Sequence, residues 1–121
     1  MNAVYLRNPL RPLNGITLTR GDDVELSVSI VEPGQTGATL KLTAMLASEF
    51  PNGIPRISKS GSDFTIQVDG NTLSGTVSLN SIETVFVLER SKFVYDLERT
   101  VGGKKKTIEK GEFFVDPDVT P

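Results

Sequence analysis

The side chains that carry most acid–base and nucleophilic chemistry are missing from this chain, which holds no His and no Cys. Imidazole bases, thiol nucleophiles, disulfides, Ser-His-Asp triads and Cys/His zinc sites are all excluded. Carboxylates, lysines and hydroxyls remain. Ser-Lys catalysis or a two-carboxylate cleft needs only these, yet no nucleophile elbow and no cleft pattern marks one. Asp22, Asp23 and Glu25 gather at one turn, and Asp116 and Asp118 near the end. Neither set offers the spaced oxygen ligands of a calcium loop, and turn capping is the simpler use. No catalytic residue, cofactor or metal is expected.

Three further patterns have structural readings. Lys104-Lys105-Lys106 is the one charge run, without the interleaved aromatics of a nucleic-acid face, and it reads as a solvated hairpin tip. Gly102-Gly103-Lys104 lacks the upstream Gly and following Ser/Thr of a phosphate loop. Arg20-Gly21-Asp22 spells an adhesion tripeptide, but Gly21 and the Asp pair serve a tight turn. Sugar binding would call for exposed aromatic rings. There is no Trp, and of two Tyr and six Phe most of the Phe fit the core pattern, with Phe50, beside Pro51, the exception expected to be exposed.

Strand periodicity must position whatever site exists. Leu18 follows Ile16 at period two; Val24, Leu26, Val28 and Ile30 share one face; Ala38, Leu40, Leu42, Ala44 and Leu46 share another. Phe64, Ile66 and Val68, then Leu73, Val77 and Leu79, repeat the pattern, with Gly75 thinning its strand. One polar face on each stretch argues an antiparallel sheet system. Turns at Gly21, Pro33-Gly34, Asn52-Gly53, Gly61 and Gly70-Asn71 suggest a sandwich or barrel. Asn80–Phe86 places Ile82, Val85 and Phe86 at helical spacing after a capping residue, which predicts a short helix at the crossover. Phe93, Tyr95 and Leu97 then open a hairpin that turns at Gly102-Gly103 and returns over Thr107–Val115, with Gly111 read as a bulge. Tyr95 is placed where a sandwich uses a tyrosine hydroxyl to tie a corner.

The 121 residues suit one domain at 15–121, preceded by an extended arm at 1–14 that carries Pro9 and Pro12. The arm reads either as an edge strand or as a segment docking on a neighbour, with Val4, Tyr5, Leu6 and Leu10 as candidate partner-binding residues. Thirteen basic and 15 acidic residues leave a net charge of −2, and no apolar run is long enough to span a bilayer. No nucleic-acid partner and no membrane insertion are expected.

Taken in order, "GITLTRGDDVELSVSI", "TGATLKLTAML", "FVYDLERT" and "GEFFVDPDVT" resemble a family of bacteriophage tail and baseplate proteins with an immunoglobulin-like module. The N-terminal domain of the phage baseplate upper protein is one such relative. The resemblance implies an all-β, immunoglobulin-like antiparallel β-sandwich of about seven to nine strands, with one short helix before the penultimate strand. It also implies a non-enzymatic structural protein of the virion, in a tail, baseplate or fibre-attachment role. Its partners would be other virion proteins in a symmetric ring, and its location the virion, after synthesis in the bacterial host cytoplasm. A carbohydrate- or cell-surface-binding sandwich module, or a head-surface decoration protein, is the alternative.

Overall fold

A computed structural model describes residues 4–7, 15, 17–19, 21, 23–79 and 89–117. Among these residues nine strands follow one another as β1 (Val4–Arg7), β2 (Thr17–Thr19), β3 (Val24–Val31), β4 (Thr39–Leu46), β5 (Ile57–Ser60), β6 (Phe64–Asp69), β7 (Thr72–Leu79), β8 (Ser91–Val101) and β9 (Lys104–Asp116). They form two sheets, ordered β1-β3-β7-β6 and β2-β9-β8-β4-β5. The fold is an immunoglobulin-like β-sandwich: the alternation left sandwich or barrel open, and the two separate sheets make it a sandwich. Among the described residues the pairings are antiparallel except that β2 runs parallel to β9.

The core is the set of inward positions read from period two. Leu26, Val28 and Ile30 of one sheet meet Leu40, Leu42, Phe93 and Leu97 of the other, all buried. Phe93 and Phe113 stack at 5.2 Å between centroids, and Tyr95 tilts against Phe113 at 5.9 Å. Such ring pairs add about 0.5–1.5 kcal/mol each beyond their burial. Gly75 lies on the inner face of β7, where an added Cβ would come 3.1 Å from Leu40 Cδ1 of the opposite sheet. The glycine that thins its strand therefore marks a close approach between the layers.

The β8–β9 hairpin turns on Gly102 (φ 57°) and Gly103 (φ 79°), two consecutive positive φ angles that only glycine adopts cheaply. Three expectations need correction or fall outside view. Gly111 is no bulge: it pairs in register with Tyr95, and the extra residue is Ile108, because Leu97 faces Glu109 while Glu98 faces Thr107. Lys104, Lys105 and Lys106 lie in β9 opposite Val101, Thr100 and Arg99 rather than at a free tip, since the two glycines close the turn alone. The helix expected at 80–86 lies outside the described residues.

Candidate functional site

The connection between β4 and β5, residues 47–56, carries two of the three exposed large hydrophobic side chains among the described residues. Phe50 is 60% exposed and Ile54 78%. Ala47–Glu49 forms a 3-10 turn closed by a bond from Phe50 N–H to Ala47 O at 3.3 Å. Gly53 N–H donates to Glu49 O at 2.6 Å, and Arg56 N–H to Ala44 O at 2.9 Å. The Arg56 guanidinium grips the Glu49 carboxylate with two bonds, Nε to Oε1 at 3.2 Å and Nη2 to Oε2 at 3.0 Å. An exposed ion pair adds little stability, but this fork geometry fixes direction. Pro51 and Pro55 fix their own φ angles. Gly53 packs so tightly that a Cβ there would overlap Glu49 Cβ and come 2.7 Å from Glu49 O. The loop is thus held in one shape while it presents Phe50 and Ile54 to solvent.

Beside it, on the outer face of the five-stranded sheet, runs a groove of about 250 Å³ lined by Thr43, Met45, Phe50, Val94, Asp96 and Lys110, among others. Thr43 and Met45 alternate with buried Leu42 and Ala44; Val94 and Asp96 alternate with buried Phe93, Tyr95 and Leu97. Asp96 stands directly opposite Lys110. Partial burial lifts the Asp96 carboxyl above its ordinary range, and Glu98 adds to this, while Lys110 and Lys41 pull it back. The groove is smaller than the roughly 300–1,000 Å³ of small-molecule sites. It suits one large side chain of a partner better than a metabolite.

A second polar cluster closes one end of the sandwich. Arg99, 7% exposed, donates from Nη1 to Gln35 Oε1 and from Nη2 to Glu32 Oε1, both at 2.8 Å. Fully buried Gln35 shares its amide hydrogens among the carbonyls of Ile30, Glu32 and Asn71. Lys106 Nζ lies 3.4 Å from Glu32 Oε2. The Arg99 bond holds the Glu32 carboxyl below its usual range. Tyr95 O–H donates to Glu109 Oε2 at 2.5 Å, a cross-strand bond rather than a tie to upstream backbone. Burial pushes the Tyr95 hydroxyl far upward and also raises the Glu109 carboxyl, against the lowering effect of the tyrosine. Both sets of bonds link strands or connections of the sandwich.

The residues singled out from sequence are scattered. Val4, Tyr5 and Leu6 lie in β1 opposite Ile30, Ser29 and Val28, while Leu10 lies outside the described residues. So do Arg20, Asp22 and Asp118. No three metal-binding side chains gather among the described residues. Among those residues no helix is long and apolar enough to cross a membrane. Phe50 was legible as an exposed ring. Ile54, Met45 and the Glu49–Arg56 brace were not, because a ten-residue connection without period carries no signal of its folded shape.

No family model matches this chain, and no curated protein matches its sequence. Among solved structures, the periplasmic chaperone SfaE is similar over 100% of this chain and 60% of its own, with 12% identity and a TM-score of 0.44. AggA, the major subunit of aggregative adherence fimbriae type I from Escherichia coli, is similar over 98% of this chain and 96% of its own, with 10% identity and a TM-score of 0.42. The chain spans 60% of the length of SfaE. Neither name is that of an enzyme. The phage-tail resemblance is overturned by these matches to a chaperone and a fimbrial subunit, with no family model behind it. Four short strand-and-turn stretches carried it, and such stretches belong to any sandwich of alternating strands. The virion function, the ring of virion partners and the virion location fall with it. The sugar-binding alternative gains no support, since Phe50 is the one aromatic among the exposed large hydrophobics of the described residues.

Proposed function

We propose that this chain is a non-enzymatic recognition module that grips a protein partner with the loop at 47–56. Phe50 and Ile54 enter apolar recesses of the partner, and the groove under Phe50 receives one of the partner's side chains. The observation that supports this is a braced loop holding two large apolar residues in water, at 60% and 78% exposure. Isolated exposed hydrophobes are ordinary, but here two sit on one braced loop and one of them, Phe50, borders the groove. Bracing lowers the ordering cost of binding, and an aromatic anchor at the centre of an interface carries a large share of its energy. Asp96 and Lys110, opposite each other on the groove wall, suit polar complementarity rather than proton transfer.

A photo-crosslinking amino acid at position 50, in protein expressed in its native cell, tests the reading. A discrete adduct is expected there and none from the same group at Lys105, an exposed strand position. Equal yields at the two positions would reject the loop as a contact. Phe50→Ala with Ile54→Ala should leave the thermal midpoint almost unchanged while abolishing a complex isolated with the parent chain.

A further inference from the structure

The four described edges of the two sheets differ in how they are defended. β2 has three residues, and β1 and β5 four each. β5 also carries Lys59 on the same face as buried Ile57, an inward charge of the kind that discourages strand addition. β6 is the exception. It has six residues, Phe64–Asp69, in regular register with β7 from Phe64 opposite Val77 to Asp69 opposite Thr72. It holds no Pro, Gly, Lys or Arg, and its pairing shows no bulge. Ile66 and Val68, on its inner face, are only half-buried although they pack against the core.

We propose that β6 accepts an extended segment of another protein as a fifth strand of its sheet. The segment would be uncharged through its middle, with apolar residues at alternate positions that cover Ile66 and Val68. The backbone of β6 would supply the hydrogen bonds and these two half-buried side chains the selectivity. The charge at the two ends names the flanks. Asp63 precedes the strand and Asp69 ends it, and neither forms an ion pair among the described residues; Asp63 accepts a hydrogen bond from Ser60 N–H at 2.9 Å. A basic residue at each end of the incoming strand matches them. A second copy of this chain fits less well, because antiparallel pairing about Ile66 sets Asp63 of each copy against Asp69 of the other. On the outer side, Thr65 and Gln67 border a depression of about 340 Å³ lined by Ser27, Ser29, Ser74 and Thr76. The added strand would therefore prolong an uncharged, hydroxyl-bearing face. This inference stands apart from the loop at 47–56.

The probe is the capped peptide Lys-Val-Thr-Val-Thr-Val-Lys, whose Lys residues fall opposite Asp63 and Asp69 and whose Val residues fall on the face of Ile66 and Val68, titrated into the full chain with backbone amide resonances and hydrogen exchange as readouts. Shifts and at least tenfold slower exchange are expected at β6 amides. Val68→Lys, which adds an inward charge to the edge, should weaken binding at least tenfold, and circular dichroism will confirm that it folds. A peptide with Glu in place of both Lys should bind at least fivefold more weakly. The inference is overturned if the Lys peptide causes no β6 shifts at millimolar concentration, if the Glu peptide binds equally, or if Val68→Lys binds as the parent does. Concentration-dependent protection of β6 without peptide would show a second copy as the occupant and likewise overturn it.

Discussion

Arg99 of β8 and Glu32, the residue after β3, join the two sheets at one end of the sandwich through a 2.8 Å bond from Nη2 to Oε1. Their side chains are 9% and 18% exposed. A guanidinium this deep needs partners in several directions, and Gln35 supplies the second. The Nε–H has none among the described residues. Burying a charge costs several kcal/mol, and pairing offsets that cost without exceeding it by much. The value of the pair is therefore in fixing where the β3–β4 connection lies. Gln35 continues the tie through the carbonyl of Asn71 in the β6–β7 turn.

Removing Arg99 should be costly because it strands acceptors in the interior. Arg99→Ala leaves Gln35 Oε1 without its Arg99 donor and takes the 2.8 Å guanidinium bond from Glu32. A loss of about 2–4 kcal/mol is expected by urea unfolding, the range for breaking a buried pair reduced for partial exposure. Arg99→Met keeps the apolar stem and should recover part of it. A loss under about 0.5 kcal/mol for the Ala variant would show that the cluster holds nothing together.

Stability against pH carries two opposing signatures. Glu32 has its carboxyl lowered by Arg99, so its contribution is present above the ordinary carboxylate pKa and is lost as pH falls through the lower folded value. Glu109 is raised by burial, so the folded state holds its proton more tightly. Its contribution is full below the ordinary value and declines as pH rises from about 4 through the raised one. Glu109→Gln keeps an acceptor for the Tyr95 hydroxyl and removes the ionisation. The urea midpoint of that variant, measured from pH 4 to 7, should lose part of the parent's decline on the alkaline side, the rest belonging to the raised Asp96, whereas Glu32→Gln should flatten the acid side. Parallel profiles for parent and Glu109→Gln would contradict the assignment.

Much of the sandwich was legible because period two is a direct record of burial. Leu26, Val28 and Ile30, or Phe93, Tyr95 and Leu97, alternate with polar residues only if one face is packed and the other wet. β5 escaped because four residues with one apolar member, Ile57, have no period to read. The bulge was placed on Gly111 by residue type, yet Ile108 absorbs the extra position, since register depends on both strands of a pair. Arg99 and Gln35 carry no sequence signal of their burial. Nothing local announces a contact between positions 64 apart in the chain. The loop at 47–56 shows the same limit: Phe50 stood out by type, but the bond from Gly53 N–H to Glu49 O exists only once the chain has turned.

Gly53 offers a test of the brace that spares the exposed side chains. Gly53→Ala sets a methyl group against Glu49 Cβ and its carbonyl, so the loop must open. A stability loss of about 1–3 kcal/mol is expected from the overlap. Backbone order parameters at residues 50–54 should fall from near the rigid value of about 0.85 towards about 0.6. Arg56→Ala should cost under about 1 kcal/mol yet loosen the same residues. Unchanged order parameters in both variants would show that the loop owes its shape to neither contact.

The approach of the two sheets at Gly75 can be weighed by setting two effects against each other. Replacing glycine in a strand by alanine restricts the unfolded chain and should stabilise by about 0.4–1 kcal/mol where the site has room. Here the new Cβ would lie 3.1 Å from Leu40 Cδ1, with Thr65 O at 3.7 Å and Ile66 Cγ1 at 3.8 Å. Leu40 is 1% exposed, so its tip has no solvent to move into, and overpacking of about 1–3 kcal/mol should win. Leu40→Val alone should cost about 1 kcal/mol for the lost methylene. Made together, the two changes exchange one carbon for another across the same contact, so their costs should not add. We expect the double variant to be at least about 0.5 kcal/mol more stable than the sum of the singles, the size of coupling found between touching residues. Strict additivity in a urea double-mutant cycle would mean that the sheets separate freely at this point and that Gly75 serves some other need of β7.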